Sequence, residues 1–206
     1  MSNFSTPQEE FWIGEFGKQY MARNAGEDVV NSNLILFGNI LKSAPGVRSV
    51  LELGCNIGLN LDALKRIDSQ FALTGFEINK DAVDAARAKN LGDIRQCTIV
   101  EKLDIGQTFD LTFTKTVLIH INPEFLPQVY DNLYRLSNRY IMVCEYYNPA
   151  PVVVNYRGHT DRLFKRDFAG EMIDKYGLRL VNYGFAYHRD NYLRYQDDVT
   201  WFLLEK

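Results

Sequence analysis

At 206 residues, with 46 % apolar and 24 % charged side chains, the chain has the length for one domain with a sizeable core and too little for two. A net charge of -3 argues against a generic nucleic-acid binder, which needs a basic surface to neutralise phosphates, and no apolar run reaches the ~18 residues of a membrane span. Cys55, Cys97 and Cys144 are odd in number and form no CxxC pair. They read as reduced thiols of a cytoplasmic protein, as does an amino end with neither basic start nor apolar signal core.

Helical spacing of Val29, Val30, Leu34, Phe37, Ile40 and Leu41 predicts a helix over Glu27–Leu41, stopped by Pro45-Gly46. A strand is expected at Ser49–Leu53, a short helix at Leu59–Arg66 and a second strand at Phe71–Phe76. Asn79 then offers an N-cap for a helix over Lys80–Lys89. Further strands are expected at Ile94–Val100 and Phe109–Thr114, a helix at Phe125–Arg135, and a fifth strand at Tyr140–Cys144. This alternation predicts a parallel sheet with helices on both faces. After a helix at Phe168–Tyr176, the runs LRLVNYGF and VTWFLLEK follow without a helix between them, which predicts an antiparallel hairpin at the sheet edge. Nothing divides the chain. Residues 1–206 read as one domain, with a helical cap over 1–45, a cofactor-binding half over 46–150 and a substrate-side segment with the hairpin over 151–206.

The loop after the first strand, LELGCNIGLN, carries Glu52, Gly54, Asn56 and Gly58. A dinucleotide fingerprint starting at Gly54 fails at Asn56 and Leu59, and no GK[ST] follows for a phosphate loop. The pattern of an acid followed by GxGxG, used by S-adenosylmethionine-dependent methyltransferases, fits if Asn56 replaces the middle glycine. Asparagine tolerates positive φ better than other residues with a side chain. Glu77, at the tip of the second strand, follows Glu52 at an offset near the ~20 residues seen in βαβ nucleotide sites and can accept ribose hydroxyls. The five strands plus hairpin fit the Rossmann-like seven-stranded sheet of the class I methyltransferases.

FWIGEFGKQYMARN (11–24), LELGCNIGLNL (51–61), FTKTVLIHINPE (113–124), YRGHTDRLFKRDF, YGFAYHRD and DDVTWFLLEK resemble the pseudaminic acid biosynthesis-associated methylases over almost the whole chain. These are class I S-adenosylmethionine-dependent methyltransferases linked with bacterial surface-sugar gene clusters. The resemblance implies that the stretch holding Glu52, Gly54, Cys55, Asn56, Gly58, Asn60 and Leu61 takes the methionine part of S-adenosylmethionine, and that Glu77 with Ile78 takes the ribose. Thr98 and Ile99 would lie against adenine, and Lys115, Thr116 and Val117 beneath the methionine end. Tyr20, Arg23 and Asn24 would close over the cofactor from the front, Arg23 being suited to a carboxylate. S-adenosylhomocysteine would be the product.

Methyl transfer needs alignment, a dry pocket and, for an oxygen or nitrogen acceptor, a base within reach. No HExxH or carboxylate-rich metal set is present, so no metal is expected. His120, Glu145 and His159 are the residues available as base, each with a plain packing alternative. Tyr146 and Tyr147 would wall the acceptor pocket. The cluster Arg157, Arg162, Lys165 and Arg166 fits either an anionic small-molecule acceptor, such as a carboxylated or nucleotide-linked sugar, or a solvated surface. Asp190, Asp197 and Asp198 would pair with those cations. The competing readings are an NAD(P)-dependent sugar-modifying enzyme and a non-catalytic protein that keeps the fold. The motif of nucleic-acid amino-methylases is absent, since Lys115-Thr116-Val117 stands in its place.

Overall fold

The computed structural model describes residues 6–23 and 26–206. Its first helix, α1 (Pro7–Ile13), begins on a capping box. Thr6 Oγ1 accepts from the Glu9 N–H, Glu9 Oε2 accepts from the Thr6 N–H, and Pro7 fills the first turn, where no N–H is needed. The cap continues through α2 (Glu15–Arg23) and α3 (Glu27–Leu41).

The sheet then builds up as β1 (Ser49–Leu53), α4 (Leu59–Ile67), β2 (Ala72–Glu77), α5 (Lys80–Ala88), β3 (Asp93–Gln96), β4 (Phe109–Lys115), α6 (Leu126–Leu136) and β5 (Ser137–Glu145). A small hairpin follows, β6 (Val152–Tyr156) and β7 (His159–Lys165), then α7 (Phe168–Tyr176), β8 (Arg179–Ala186) and β9 (Val199–Glu205). Seven strands lie in the order β3-β2-β1-β4-β5-β9-β8. The first five are parallel, and β9 runs antiparallel to both β5 and β8.

Because successive strand residues point to opposite faces, each strand feeds two cores. Val50, Leu111, Phe113, Met142 and Leu203 pack with Phe37 and Ile40 of α3, Leu61 and Leu64 of α4, and Val83 of α5. Leu51, Leu53, Ile141, Val143 and Leu204 pack on the other face with Leu126, Val129 and Leu133 of α6 and with Phe168 and Met172 of α7. Helices therefore cover both faces. Strand β1, lying between β2 and β4, is buried from Val50 to Leu53.

Two expectations are corrected. The third strand ends at Gln96 and does not run to Val100. Fully buried Asn132 of α6 claims the backbone beyond it, donating from Nδ2 to the Ile99 and Glu101 carbonyls at 2.9 and 2.7 Å and accepting the Leu103 N–H at 3.0 Å. The basic stretch from Arg157, where no element was expected, is part of a strand pair. It forms the β6–β7 hairpin, turned by Arg157 (φ 50) and Gly158 (φ 88), two positive-φ residues as a tight two-residue turn requires. Among the described residues no helix is long and apolar enough to cross a membrane.

Candidate active site

A ligand in an open parallel sheet binds beyond the carboxyl ends of the strands, where strand order reverses. Here that point lies between β1 and β4, and a deep cavity opens above it. Its floor starts with the β1–α4 loop. Gly54 (φ 82) and Gly58 (φ 78) are left-handed, and so is Asn56 between them (φ 47). A Cβ at Gly54 would meet Val117 Cγ2 at 2.6 Å, so the strap after β4 requires glycine there. Asn56 stabilises its own turn, with Oδ1 accepting the Ile57 N–H at 2.7 Å. The expected result is that Asn56→Gly keeps S-adenosylhomocysteine affinity within about threefold, while Asn56→Val loses tenfold or more, since a β-branched residue resists positive φ. Titration calorimetry on the two variants checks this.

Glu77 closes the turn from β2. Its Oε2 accepts the Asn56 N–H at 2.8 Å, and its Oε1 accepts those of Ile78 and Asn79 at 2.9 and 2.8 Å. Burial pushes its pKa up, opposed by these three donors. A carboxylate has about four acceptor sites, so roughly one is left for a ligand hydroxyl. Glu52 does not reach the cavity. It is fully buried beneath, accepting from Asn60 Nδ2 at 2.5 Å while its Oε2 has no partner, and burial pushes its pKa up to about 8.

Of the residues assigned to the cofactor, Tyr20, Gly54, Cys55, Asn56, Asn60, Glu77, Ile78, Ile99, Lys115, Thr116 and Val117 line this cavity. Gly58 is the N-cap of α4, and Leu61 is core. Thr98 does not line it, but its hydroxyl bonds the carboxylate of Glu9, which does. Arg23 is exposed, with its guanidinium 5.6 Å from the Phe16 ring centroid, so its assignment to a cofactor carboxylate finds no support in the geometry. Asn24 lies outside the described residues.

The helical cap forms the roof. Asn79 Nδ2 donates to the Trp12 carbonyl at 2.9 Å, and Glu9 binds Thr98, so α1 is tied to the strand tips on both sides. The Trp12 ring lies 4.8 Å from His120 and 5.2 Å from Tyr20. Tyr20 hydrogen-bonds Thr116, and its pKa is pushed up to about 12 by burial and by Asp197.

His120 ends the 3₁₀ turn Leu118–His120 and lines the cavity. Its Nδ1 lies 2.7 Å from the Arg162 carbonyl. A carbonyl only accepts, so Nδ1 carries the proton and Nε2 keeps its lone pair. Burial lowers its pKa to about 4, and the ring is neutral at physiological pH.

Glu145 is corrected as a base. It is buried below the cavity floor, and its carboxylate accepts the Val117, Leu118 and Ile119 N–H groups at 3.0, 3.0 and 3.4 Å. It shapes the turn that carries His120. Burial raises its pKa to about 7. Glu145→Ala strands buried backbone donors, and urea unfolding should show a loss on the order of 3 kcal/mol.

The remaining assignments also shift. His159 is exposed on β7, 5.3 Å from the Phe11 ring. Arg166 pairs with Glu171 at 2.5 Å, and Lys165 sits 5.1 Å above the Tyr146 ring. Arg157 lies over Phe16 and Tyr156, and Arg162 over Phe11. Tyr147 is an exposed bridge partner of Arg166. None of these lines the cavity, and neither does Tyr146, which bonds Asp197 instead. Among the described residues the three late acids meet other groups. Asp198 binds His188, Asp190 accepts the Tyr192 and Leu193 N–H groups, and Asp197 lines the cavity. Trp12, Asn33, Tyr195 and Asp197 were not foreseen as lining residues; only the aromatic density of FWIGEFGKQY hinted at the first.

Residues 50–139 match the family model described as a methyltransferase domain. No curated protein sequence matches the chain. Among solved structures, magnesium protoporphyrin IX methyltransferase from Synechocystis PCC 6803, with bound S-adenosylhomocysteine, superposes with a TM-score of 0.67 at 15 % identity, over 96 % of this chain and 97 % of that one. The plantazolicin methyltransferase BpumL aligns at TM-score 0.65 and 12 % identity, over 97 % and 93 %. The glycopeptide N-methyltransferase MtfA, complexed with S-adenosylmethionine, aligns at 0.64 and 11 %, over 84 % and 93 %. The matched domain spans the floor of the cavity from β1 through β4, and the chain carries it within the class I methyltransferase fold.

Proposed function

We propose that this protein transfers a methyl group from S-adenosylmethionine to a small, anionic acceptor, such as a carboxylated or nucleotide-linked bacterial sugar. The charge of the cavity carries the cofactor part of the reading. Glu9, Glu77 and Asp197 line it, and Lys115 is the one ammonium or guanidinium among its described residues. A sulfonium with an ammonium group suits such a lining, whereas the diphosphate of NAD(P) does not.

Bound there, S-adenosylmethionine supplies an electrophilic methyl group. The protein's part is to orient, exclude water and take a proton. The Lys115–Val117 strap, with Thr116 held at φ 55, and the roof of Trp12 and Tyr20 confine the reacting end. His120 Nε2 accepts the acceptor's proton, its tautomer fixed by the Arg162 carbonyl.

The names of the similar structures mention a porphyrin, plantazolicin and a glycopeptide, so the acceptor is set by residues particular to each chain. Here Arg157 and Arg162, on the hairpin that touches His120, lie outside the cavity over the Phe16 and Phe11 rings, and the basic character of that hairpin beside the site supports an anionic acceptor. The resemblance to surface-sugar methylases agrees with this. The test is labelled-methyl transfer to a panel of carboxylated, phosphorylated and neutral sugars. Activity confined to neutral acceptors would remove the anionic part of the proposal.

A further inference from the structure

The loop between β8 and β9 brings a carboxylate to the cavity, and both residues beside that carboxylate are fixed. Gln196 is buried, and its Nε2 donates to Ser32 Oγ at 3.1 Å and Asn33 Oδ1 at 2.8 Å of α3. Asp198 accepts the backbone N–H of His188 at 2.9 Å and faces its Nδ1 at 2.8 Å. Between these two anchors Asp197 lines the cavity, hydrogen-bonded to Tyr146 at the tip of β5 and close enough to Tyr20 to raise its pKa. Tyr20 in turn bonds Thr116, beyond the tip of β4. Asp197 therefore stands over the β4–β5 side of the crevice, whereas Glu77, Cys97 and Ile99 line its β2–β3 side. A nucleoside held on the β2–β3 side puts its sulfur end beneath Asp197.

We propose that Asp197 is a specificity-determining residue that recognises the positive charge of the sulfonium, so that the methylated cofactor is held in preference to the demethylated product. This rests on the reading of the cavity as an S-adenosylmethionine site. The physical case is direct. S-adenosylmethionine and S-adenosylhomocysteine differ by one methyl group and one unit of charge, located at sulfur. A carboxylate fixed at that end attracts the first and is indifferent to the second. With Tyr146 donating to it, Asp197 has acceptor sites left for the ligand side. Transfer then discharges the sulfur and releases the product from this attraction. When the acceptor is a neutral amine the positive charge moves from sulfur to nitrogen, and it stays near the same carboxylate.

The test is titration calorimetry of the wild-type protein and Asp197→Asn with S-adenosylmethionine and with S-adenosylhomocysteine, at low and at high salt. Asp197 is exposed, so the substitution spares the core. The expected result is a wild-type preference for the sulfonium form of about three- to tenfold, given that a carboxylate open to solvent is partly screened. That preference should shrink with salt and disappear in Asp197→Asn, with S-adenosylhomocysteine affinity unchanged. Tyr146→Phe, which keeps the charge, should retain the preference. Equal loss for both ligands would place Asp197 against a shared part of the cofactor and overturn the proposal, as would no loss for either. If neither ligand binds the wild-type protein, the cofactor reading itself fails.

Discussion

Replacing His120 with asparagine is expected to lower kcat by two to four orders of magnitude, with little change in S-adenosylhomocysteine affinity. Asparagine can keep a donor towards the Arg162 carbonyl, which His120 Nδ1 faces at 2.7 Å, but it loses the Nε2 lone pair that receives the proton. The deficit should shrink at high pH, where the acceptor ionises unaided. The same residue marks the stability curve. The folded-state pKa of about 4 lies below the ordinary 6.5, so between these values the unfolded chain binds more protons. Stability from keeping His120 neutral is therefore complete above pH 6.5 and is lost as pH falls towards 4, by about 3 kcal/mol. Glu52 and Glu145 have raised values and act with the opposite sign, so the check is the difference between wild type and His120→Asn in urea unfolding across pH 4 to 7. A difference that does not change over this window would mean that His120 is not held neutral.

The second large effect is at Glu77. Glu77→Ala removes the acceptor for the Asn56, Ile78 and Asn79 N–H groups and the remaining site offered to a ligand hydroxyl. Cofactor affinity should fall by about 1–3 kcal/mol, roughly five- to 150-fold. Glu77→Gln is the informative companion. Its amide keeps one oxygen for backbone donors but turns an N–H towards another, so it should recover stability only in part and affinity very little. Calorimetry with S-adenosylhomocysteine, alongside melting temperatures, separates the two losses. Binding equal to wild type in both variants would take Glu77 out of the site.

The central sheet could be read from the chain because local signals and packing agree there. The Ser49–Leu53 run and the Asn79 cap, whose Oδ1 accepts the Asp81 and Ala82 N–H groups, occur where the sequence places them. Asn56 takes the positive φ for which asparagine is suited. The terminal hairpin could be read because no helix interrupts its two apolar runs. What stayed hidden depends on long-range partners. Residues Cys97–Val100 are β-prone, but Asn132, far along the chain, takes the neighbouring carbonyls. Glu145 stands at a strand tip like a catalytic carboxylate, yet the backbone N–H groups of a 3₁₀ turn claim it. In the arginine cluster the structural information lies not in the charge but in the turn Arg157-Gly158, both at positive φ. Asp197 was one of three acids set beside those cations. Only the burial of its neighbour Gln196 against α3 shows why it reaches the cavity.

What the cavity above Gly54, Asn56 and Gly58 holds decides the chemistry of this protein. Titration calorimetry of the wild-type protein with S-adenosylhomocysteine and, separately, with NAD⁺ tests this most directly. The predicted result is saturable one-to-one binding of S-adenosylhomocysteine, weakened about fivefold or more by Glu77→Ala, and no measurable binding of NAD⁺. Binding of NAD⁺ without S-adenosylhomocysteine, or of neither, would contradict it.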